Sequence, residues 1–376
     1  MARVLQVFRP RTGGTFGHVR TLAAELSARG HEVAVCGPAG AGDDDDAGHA
    51  RDAGDDFDVP LLAAPIPREP TPGPTFAAVR AVGRAYRSFR PDLIHAHGAQ
   101  AGVVARLARA AAPAAPLIHT PHRYAFVDGS GPSAANAAYV GIERALMPLA
   151  SRVLCVCEAE RAIARRLGAG ARARVVHNGI EPREAGPLEP RFAELAASGP
   201  LIVAVSELFR RKGVPALIAA MPAVLAAHPE ANLVVAGDGP DRADAEQARD
   251  HLGLEGRVHL AGQLGDPSGL LAAADVFVNP ALAEAFPYGI LEAMAAARPC
   301  VVTDAGGSAE AVLDGESGLV VPPGEPDALA AAVIRLLTDR ETAERLGTAA
   351  AERVRERFTC ERMIAGTEAV YAELVR

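Results

Sequence analysis

Short apolar runs alternate with longer stretches of helical periodicity along the whole chain. Val4-Leu5-Gln6-Val7-Phe8 and Leu201-Ile202-Val203-Ala204-Val205 are near-continuous hydrophobic segments, the pattern of strands covered on both faces. In the first half, strands are expected near 3–8, 32–36, 59–63, 92–96, 116–119, 153–156 and 174–177. Helices fall between them, the clearest at 17–29, 76–89, 100–111, 135–150 and 158–167. A second series opens at 201–205 and continues near 232–236, 258–261, 275–279, 299–303 and 318–321. Alternation of this kind builds parallel βαβ units.

The series is interrupted once. His177-Asn178-Gly179 reads as a turn, and Glu181 to Pro190 is rich in proline, glycine and charge, which reads as an interdomain linker. The 376 residues then divide into a first domain at 1–180, a linker at 181–199, a second domain at 200–358 and a final helix at 359–376, expected to pack on the first domain.

Composition narrows the class. Hydrophobic residues make up 49% and charged residues 22%, as in a globular protein, and the length suits two domains. The net charge of −8 argues against a nucleic-acid partner. Residues 1–180 hold 21 arginines against 16 acids, the remainder 17 basic residues against 30 acids. Of the 38 basic residues only Lys212 is a lysine, a coding bias uninformative by itself. Cys36, Cys155, Cys157, Cys300 and Cys360 form no disulfide framework, which fits a reducing cytoplasm. Met1 leads directly into a strand rather than a signal segment, and no apolar run reaches membrane-spanning length.

The candidate chemistry lies in loops after strands. Glu284 follows the strand at 275–279, and Glu292 falls on the second turn of a helix that Pro287 can open. Both carboxylates can face the crevice at the carboxyl ends of a parallel sheet, where they would accept hydrogen bonds from vicinal hydroxyls. Arg210, Arg211 and Lys212 lead into a helix start, where cations and amides converge on phosphate. Arg11 to Gly17 is a glycine-bearing loop before a helix, open to a tight-turn reading or to an anion contact. Gly306 and Gly307 precede Glu310 and bring amides near a second anionic group. His95, His97 and His119 read as satisfied strand-end residues, whereas His122 lies further out, where a ligand would be. No metal-binding spacing stands out: Asp43 to Asp46 reads as a solvated loop tip. Arg80, Arg84 and Arg87 share a helix face, either simply solvated or suited to an anionic membrane surface.

In this order the pieces resemble the retaining glycosyltransferases of the GT-B fold, specifically family 4, with members in cell-envelope and exopolysaccharide synthesis. The resemblance rests on Gly13-Gly14, Gly30-His31-Glu32-Val33, Pro91-Asp92 through His97, Asn178-Gly179, Arg211-Lys212-Gly213, Gly237 to Pro240, the Glu284 and Glu292 pair, and Gly306-Gly307 with Glu310. It implies an α/β fold of two facing Rossmann-like domains with parallel sheets, a cleft between them, and a C-terminal helix crossing back to the first.

The resemblance also implies roles. A nucleotide-diphosphate-sugar donor is bound mainly by the second domain, and the sugar passes to a hydroxyl acceptor, with no metal and no other cofactor. Glu292 takes the ribose hydroxyls, Glu284 a donor-sugar hydroxyl, Lys212 and Arg211 the diphosphate, and His122 approaches the sugar. Gly14, Phe286, Pro287, Gly306, Gly307 and Glu310 complete the donor contacts. Localisation is expected in the cytoplasm, either free or peripheral at the inner face of a membrane. One departure matters: the usual Gly-Arg of the family is Ser206-Glu207 here, so a diphosphate-binding arginine is missing and Arg211 is the substitute at hand. Rival readings are a sugar-nucleotide epimerase or hydrolase on the same fold, and a nucleotide-sugar-binding protein without activity.

Overall fold

In the computed structural model of the protein, the described residues are 1–10, 13–39, 57–129, 131 and 133–375. The run Asp43 to Asp46, and Arg11 and Thr12 of the glycine loop, lie outside them. The chain divides into two compact units, one of Met1–Val127, Gly131–His177 and Met363–Arg376, the other of Asp128–Ser130 and Asn178–Arg362.

The first unit is built on seven strands: β1 Arg3–Phe8, β2 Glu32–Gly37, β3 Leu61–Ala63, β4 Leu93–His97, β5 Leu117–Thr120, β6 Arg152–Cys155 and β7 Ala173–Val175. Their order is β3-β2-β1-β4-β5-β6-β7, all pairs parallel. Leu5, Val7, Ile94, Leu117 and Val153 are buried to 0% exposure, so the apolar runs are strands covered on both faces. Local chemistry sets the helix starts. Pro72 opens Pro72–Phe89, Ser133 accepts a hydrogen bond from the amide of Asn136 at the start of Ala134–Leu146, and the Cys157 thiol accepts one from Glu160 before Glu158–Arg166.

The end of the chain belongs to this unit, as expected of the last helix. Tyr371 Oη lies 2.7 Å from His95 Nδ1, Glu368 pairs with His31 at 3.2 Å, and Glu373 binds Arg152 at 2.9 Å and Arg174 at 3.2 Å.

The second unit repeats the plan with six strands: β8 Leu201–Val205, β9 Asn232–Ala236, β10 Val258–Gly262, β11 Val276–Asn279, β12 Cys300–Thr303 and β13 Leu319–Val321. Their order is β10-β9-β8-β11-β12-β13, again parallel. One expectation needs correcting. Residues 190–198, read as linker, form a helix Pro190–Ser198 that buries Phe192, and Asn232 donates to Leu195 O and Ser198 Oγ at 3.3 and 3.0 Å. Proline and glycine upstream masked a short amphipathic turn that packs on the sheet.

In both sheets the strand order reverses beside the first strand, between β1 and β4 and between β8 and β11. Loops leaving the carboxyl ends of those strand pairs diverge, leaving the crevice where open α/β sheets take ligands.

Candidate functional site

In the second unit the chain's only lysine occupies that position. Arg210–Lys212 is a single 3₁₀ turn after β8, ended by Gly213 at φ 67°. A Cβ on Gly213 would lie 2.0 Å from Pro280 O, so the loop after β8 presses on the loop after β11 and only glycine fits. The amides of Leu282 and Ala283 close the contact by donating to Arg211 O at 2.7 and 3.2 Å. Lys212 Nζ consequently donates to Glu284 Oε1, with the two side chains 14% and 8% exposed. The two residues expected at the diphosphate and at the donor sugar are thus brought together as an ion pair. Among the described residues neither side chain makes a second hydrogen bond, leaving two ammonium protons and one carboxylate oxygen for a ligand.

Arg211 and Glu207 answer the departure noted in the sequence. Arg211 Nη2 lies 3.7 Å from Glu207 Oε2, and the guanidinium stacks on Phe209 at 4.4 Å. Glu207 is therefore engaged by a cation, and Arg211 Nε is left buried without a partner among the described residues, a donor that an anion could satisfy.

The glycine pair divides. Gly306 stands at φ 59° with its Cα against Glu284 O, where a Cβ would come within 1.9 Å. Its amide has no protein acceptor among the described residues. The Gly307 amide already donates to Ala285 O at 2.7 Å, so the expectation of two anion-facing amides narrows to Gly306. Glu310 sits half-buried in the short turn Ser308–Ala311, whose carbonyls at 310 and 311 accept from Arg353 at 2.8 Å.

Pro287 stands at the N-cap of helix Tyr288–Ala295, which puts Glu292 on its second turn. Burial raises the Glu292 carboxyl above its ordinary range; Arg183 opposes the shift and Asp266 adds to it. Phe286 turns its ring inward. The residue is 2% exposed and packs edge-on against Phe358 at 5.1 Å, and its carbonyl accepts from Asn178 Nδ2 at 2.7 Å. The ring thus supports the loop from within.

The first unit carries a histidine cluster. His95 and His97 alternate with Ala96 on β4 and share a face. His95 is satisfied at both nitrogens, by Tyr371 Oη and Thr120 Oγ1 at 2.7 Å each. His119, opposite Ala96 in register, lies on the other face with Nε2 3.2 Å from Gly98 O, but its Nδ1 is buried without a partner among the described residues. His97 is also satisfied at one nitrogen alone. Its Nδ1 lies 3.1 Å from His122 Nε2, while its Nε2 is buried with no partner. His18, from helix Gly13–Ala28, packs its ring 4.6 Å from that of His122. Gly14, on the same helix's first turn, is exposed.

His122 and Arg123 both have left-handed backbone, φ 49° and 79°, which L side chains rarely adopt. A buried carboxylate holds the turn: Glu160 accepts from the amide of Arg123 and from that of Val156, the latter at 2.9 Å. Burial, then mutual repulsion, holds His95, His97 and His122 well below the usual imidazole range, and burial pushes His119 down to about 4. At neutral pH these four imidazoles are uncharged donors and acceptors. No period along the chain joins His18, His97 and His122; the one available sign was two histidines spaced by two on an apolar strand.

Arg80, Arg84 and Arg87 are exposed on helix Pro72–Phe89. No helix among the described residues is long and apolar enough to cross a membrane.

Residues 12–184 match the family model described as Glycosyltransferase Family 4, and residues 189–353 that of Glycosyl transferases group 1. The chain is 32% identical to glycogen synthase of Mycobacterium tuberculosis (strain ATCC 25618 / H37Rv), over 96% of this chain and 91% of the relative. It is 28% identical to a putative glycosyltransferase, EpsD, of Bacillus subtilis (strain 168), over 76% of this chain and 78% of the relative. Among solved structures, sucrose-phosphate synthase from Thermosynechococcus elongatus superposes with a TM-score of 0.84 at 26% identity, over 99% of both chains. HepE of Anabaena, solved in complex with UDP-glucose, has a TM-score of 0.81 at 22% identity over the full length of both chains, a likeness of fold.

Proposed function

The chain belongs to the group 1 glycosyltransferases of family 4, enzymes that transfer a sugar from a nucleotide-sugar donor, and from that premise we propose a metal-independent, retaining transfer of a hexose from a nucleotide-diphosphate sugar to a hydroxyl acceptor. The hexose is the reading favoured by the likeness to a glycogen synthase and a sucrose-phosphate synthase. UDP-glucose, the ligand of HepE, is the first donor to try.

The chemical demand is departure of a nucleoside diphosphate. The bond from the anomeric carbon to the phosphate oxygen breaks and its electron pair stays on the phosphate. Fixed cations placed where that charge develops are the largest catalytic term available. In this reading Lys212 and Arg211 meet the diphosphate, and the Gly306 amide joins them. Glu292 receives the ribose hydroxyls, and Glu284, already oriented by Lys212, receives a sugar hydroxyl with its unused oxygen. Pro287 and Glu310 flank the donor, and by the family resemblance His122 and Gly14 contribute from the first unit. The acceptor oxygen bonds to the anomeric carbon on the face the phosphate leaves, and its proton passes to the departing phosphate oxygen. The two carboxylates are thus hydroxyl acceptors and not the acid and nucleophile of a glycosidase.

The observation that carries this reading is the half-buried Lys212–Glu284 pair, with hydrogen-bonding capacity left over, set where the second sheet reverses its strand order. The test is a panel of nucleotide sugars incubated with and without glycan, lipid-linked and small-molecule hydroxyl acceptors, following nucleoside diphosphate release. Acceptor-dependent release with an axial-to-axial or equatorial-to-equatorial product supports it. Equal release without acceptor assigns a hydrolase, and no release with any donor that shifts the melting temperature assigns a binding protein.

A further inference from the structure

We propose that His18, His97 and His122 form a binding site for a late first-row divalent cation of the zinc class, a site separate from the lysine and carboxylate machinery of the second unit. One ring nitrogen from each of the three lies within 4.8 Å of the other two. The residues come from three different elements, helix Gly13–Ala28, strand β4 and the loop after β5, so the convergence is tertiary and not a by-product of helical spacing.

The geometry suits the ion. Zinc bonds imidazole nitrogen at about 2.0–2.1 Å, so nitrogens on a tetrahedral ion stand about 3.3 Å apart. The His97 to His122 separation of 3.1 Å already matches that edge. The edges to His18 need to close by about 1.5 Å at most, within the reach of imidazole torsions. Three imidazoles with a fourth position left over are the donor set of an open zinc site, and imidazole also suits nickel and copper.

Support around the ligands is already in place. His95 packs its ring 4.0 Å from that of His97 and is itself pinned by Thr120 and Tyr371. Glu160 fixes the strained turn that carries His122. His97 is fully buried, and Nδ1, the ring nitrogen it turns toward His122, is the one placed to bind the ion. His122 is only half-buried and is the member nearest solvent, which gives the ion an entry.

The binding claim does not depend on the transfer reaction. Its consequence does: an ion on His122 withdraws the imidazole that the transfer reading assigns to the sugar, so occupancy would inhibit and not activate.

The test uses full-length, tag-free protein stripped with chelator, then titrated with Co²⁺ and with Zn²⁺. The readouts are cobalt ligand-field absorption and metal per chain by elemental analysis. The expected result is one ion per chain with the intense visible bands of a tetrahedral or five-coordinate nitrogen site. His18→Gln and His122→Ala, checked for folding by circular dichroism and thermal melting, should each weaken binding by about tenfold or more, the scale of altered metal-site support. His228→Ala, at a half-buried residue of the second unit outside the cluster, should bind as wild type. Binding that is substoichiometric, or that is equal in wild type and both cluster variants, overturns the proposal. Either result leaves nucleoside diphosphate release untouched and so does not bear on the transfer reading.

Discussion

Among the described residues, each unit of the molecule contains a well-shielded ion pair, and the two are built differently. In the first unit Arg106 Nη1 and Nη2 bind Glu143 side-on through two bonds of 2.9 Å, and Arg106 Nε donates to Gly102 O at 2.8 Å. The side chain is 0% exposed and each of its three nitrogens has a protein acceptor. In the second unit Lys212 meets Glu284 through one bond, with donors and an acceptor unused. A planar fork saturated by a carboxylate closes a fold; a point charge with spare protons addresses a ligand. In a chain that writes nearly every cation as arginine, the single lysine sits where saturation would be a fault.

The sharpest way to break this contrast is to remove one partner of the buried pair. Glu143→Gln should cost about 3 kcal/mol or more in unfolding free energy, because it strands a desolvated guanidinium. Chemical denaturation measures it, while nucleoside diphosphate release per folded molecule should stay near wild type. The loss should depend on pH. Burial works to raise the Glu143 carboxyl, but His119 and then Arg106 outweigh it, so the folded value lies below the ordinary one. A depressed carboxyl stabilises fully above its unfolded value of about 4.3 and loses that stabilisation as pH falls through the folded value. The gap between wild type and variant should therefore close in acid, below about pH 4. A gap that stays constant down to that range would mean the pair is not ionised in the folded state.

The second pair should show its distinguishing effect in transfer. Lys212→Ala should lower transfer by about 2–4 kcal/mol in transition-state free energy, by analogy with losing one donor to a developing oxyanion. Unfolding free energy should also fall, by about 1–3 kcal/mol, since the 8% exposed Glu284 carboxylate loses its cation, so transfer is compared per folded molecule. Lys212→Arg keeps the charge, yet its fork would saturate Glu284 as Arg106 saturates Glu143, so it should fall well short of restoring turnover. Because no other side-chain amine exists in the chain, an amine-selective reagent gives an independent check: inactivation that tracks loss of Lys212, slowed by bound donor. Full activity after complete modification at Lys212 would sink its assignment.

These two pairs also mark how far the sequence can be read. The alternation of apolar runs and helices placed every strand within two or three residues, because a strand covered on both faces is a local pattern. Lys212 and Glu284 were legible too, since each follows a strand at the loop that topology brings to the reversal point. The Arg106–Glu143 pair joins two helices through residues 37 positions apart in sequence, and neither residue sits in a motif; only tertiary packing reveals it. His97 was misjudged for the same reason. Alternation gave its face on β4 but not the helix residue His18 or the left-handed turn at His122 that meet it there. Phe286 was assigned by its neighbourhood in a motif, and its inward ring shows that a motif can contain its own scaffolding.

A smaller effect is expected at Glu292, where the proposed contact is to the neutral ribose. Glu292→Gln should raise the donor KM about tenfold, the scale of one hydrogen bond to a charged acceptor, with kcat retained. The raised carboxyl supplies the pH signature. Protonation removes an acceptor, so wild-type KM should climb as pH falls through a value above the ordinary glutamate range, while the glutamine variant stays flat. Parallel profiles in the two proteins would place the ribose elsewhere.

The smallest effect belongs to Glu207, where the family's arginine is replaced by an acid. Its side chain is 39% exposed and stands 3.7 Å from Arg211, so the pair is screened and weak. Two opposing terms follow from losing the carboxylate. Arg211 is released toward the diphosphate, and a negative charge near that diphosphate disappears, both favouring the donor; Arg211 also loses a group that orders it. With exposed pairs contributing about 0–1 kcal/mol, Glu207→Gln should tighten donor binding by no more than about fivefold, measured by calorimetry, and the gain should shrink as salt rises. Weaker binding in the variant would instead show that Glu207 positions Arg211 for the phosphates. The acid would then be the means by which this loop does without the missing arginine, and the contrast between saturated and unsaturated pairs would need a third kind, a pair that orients a cation without consuming it.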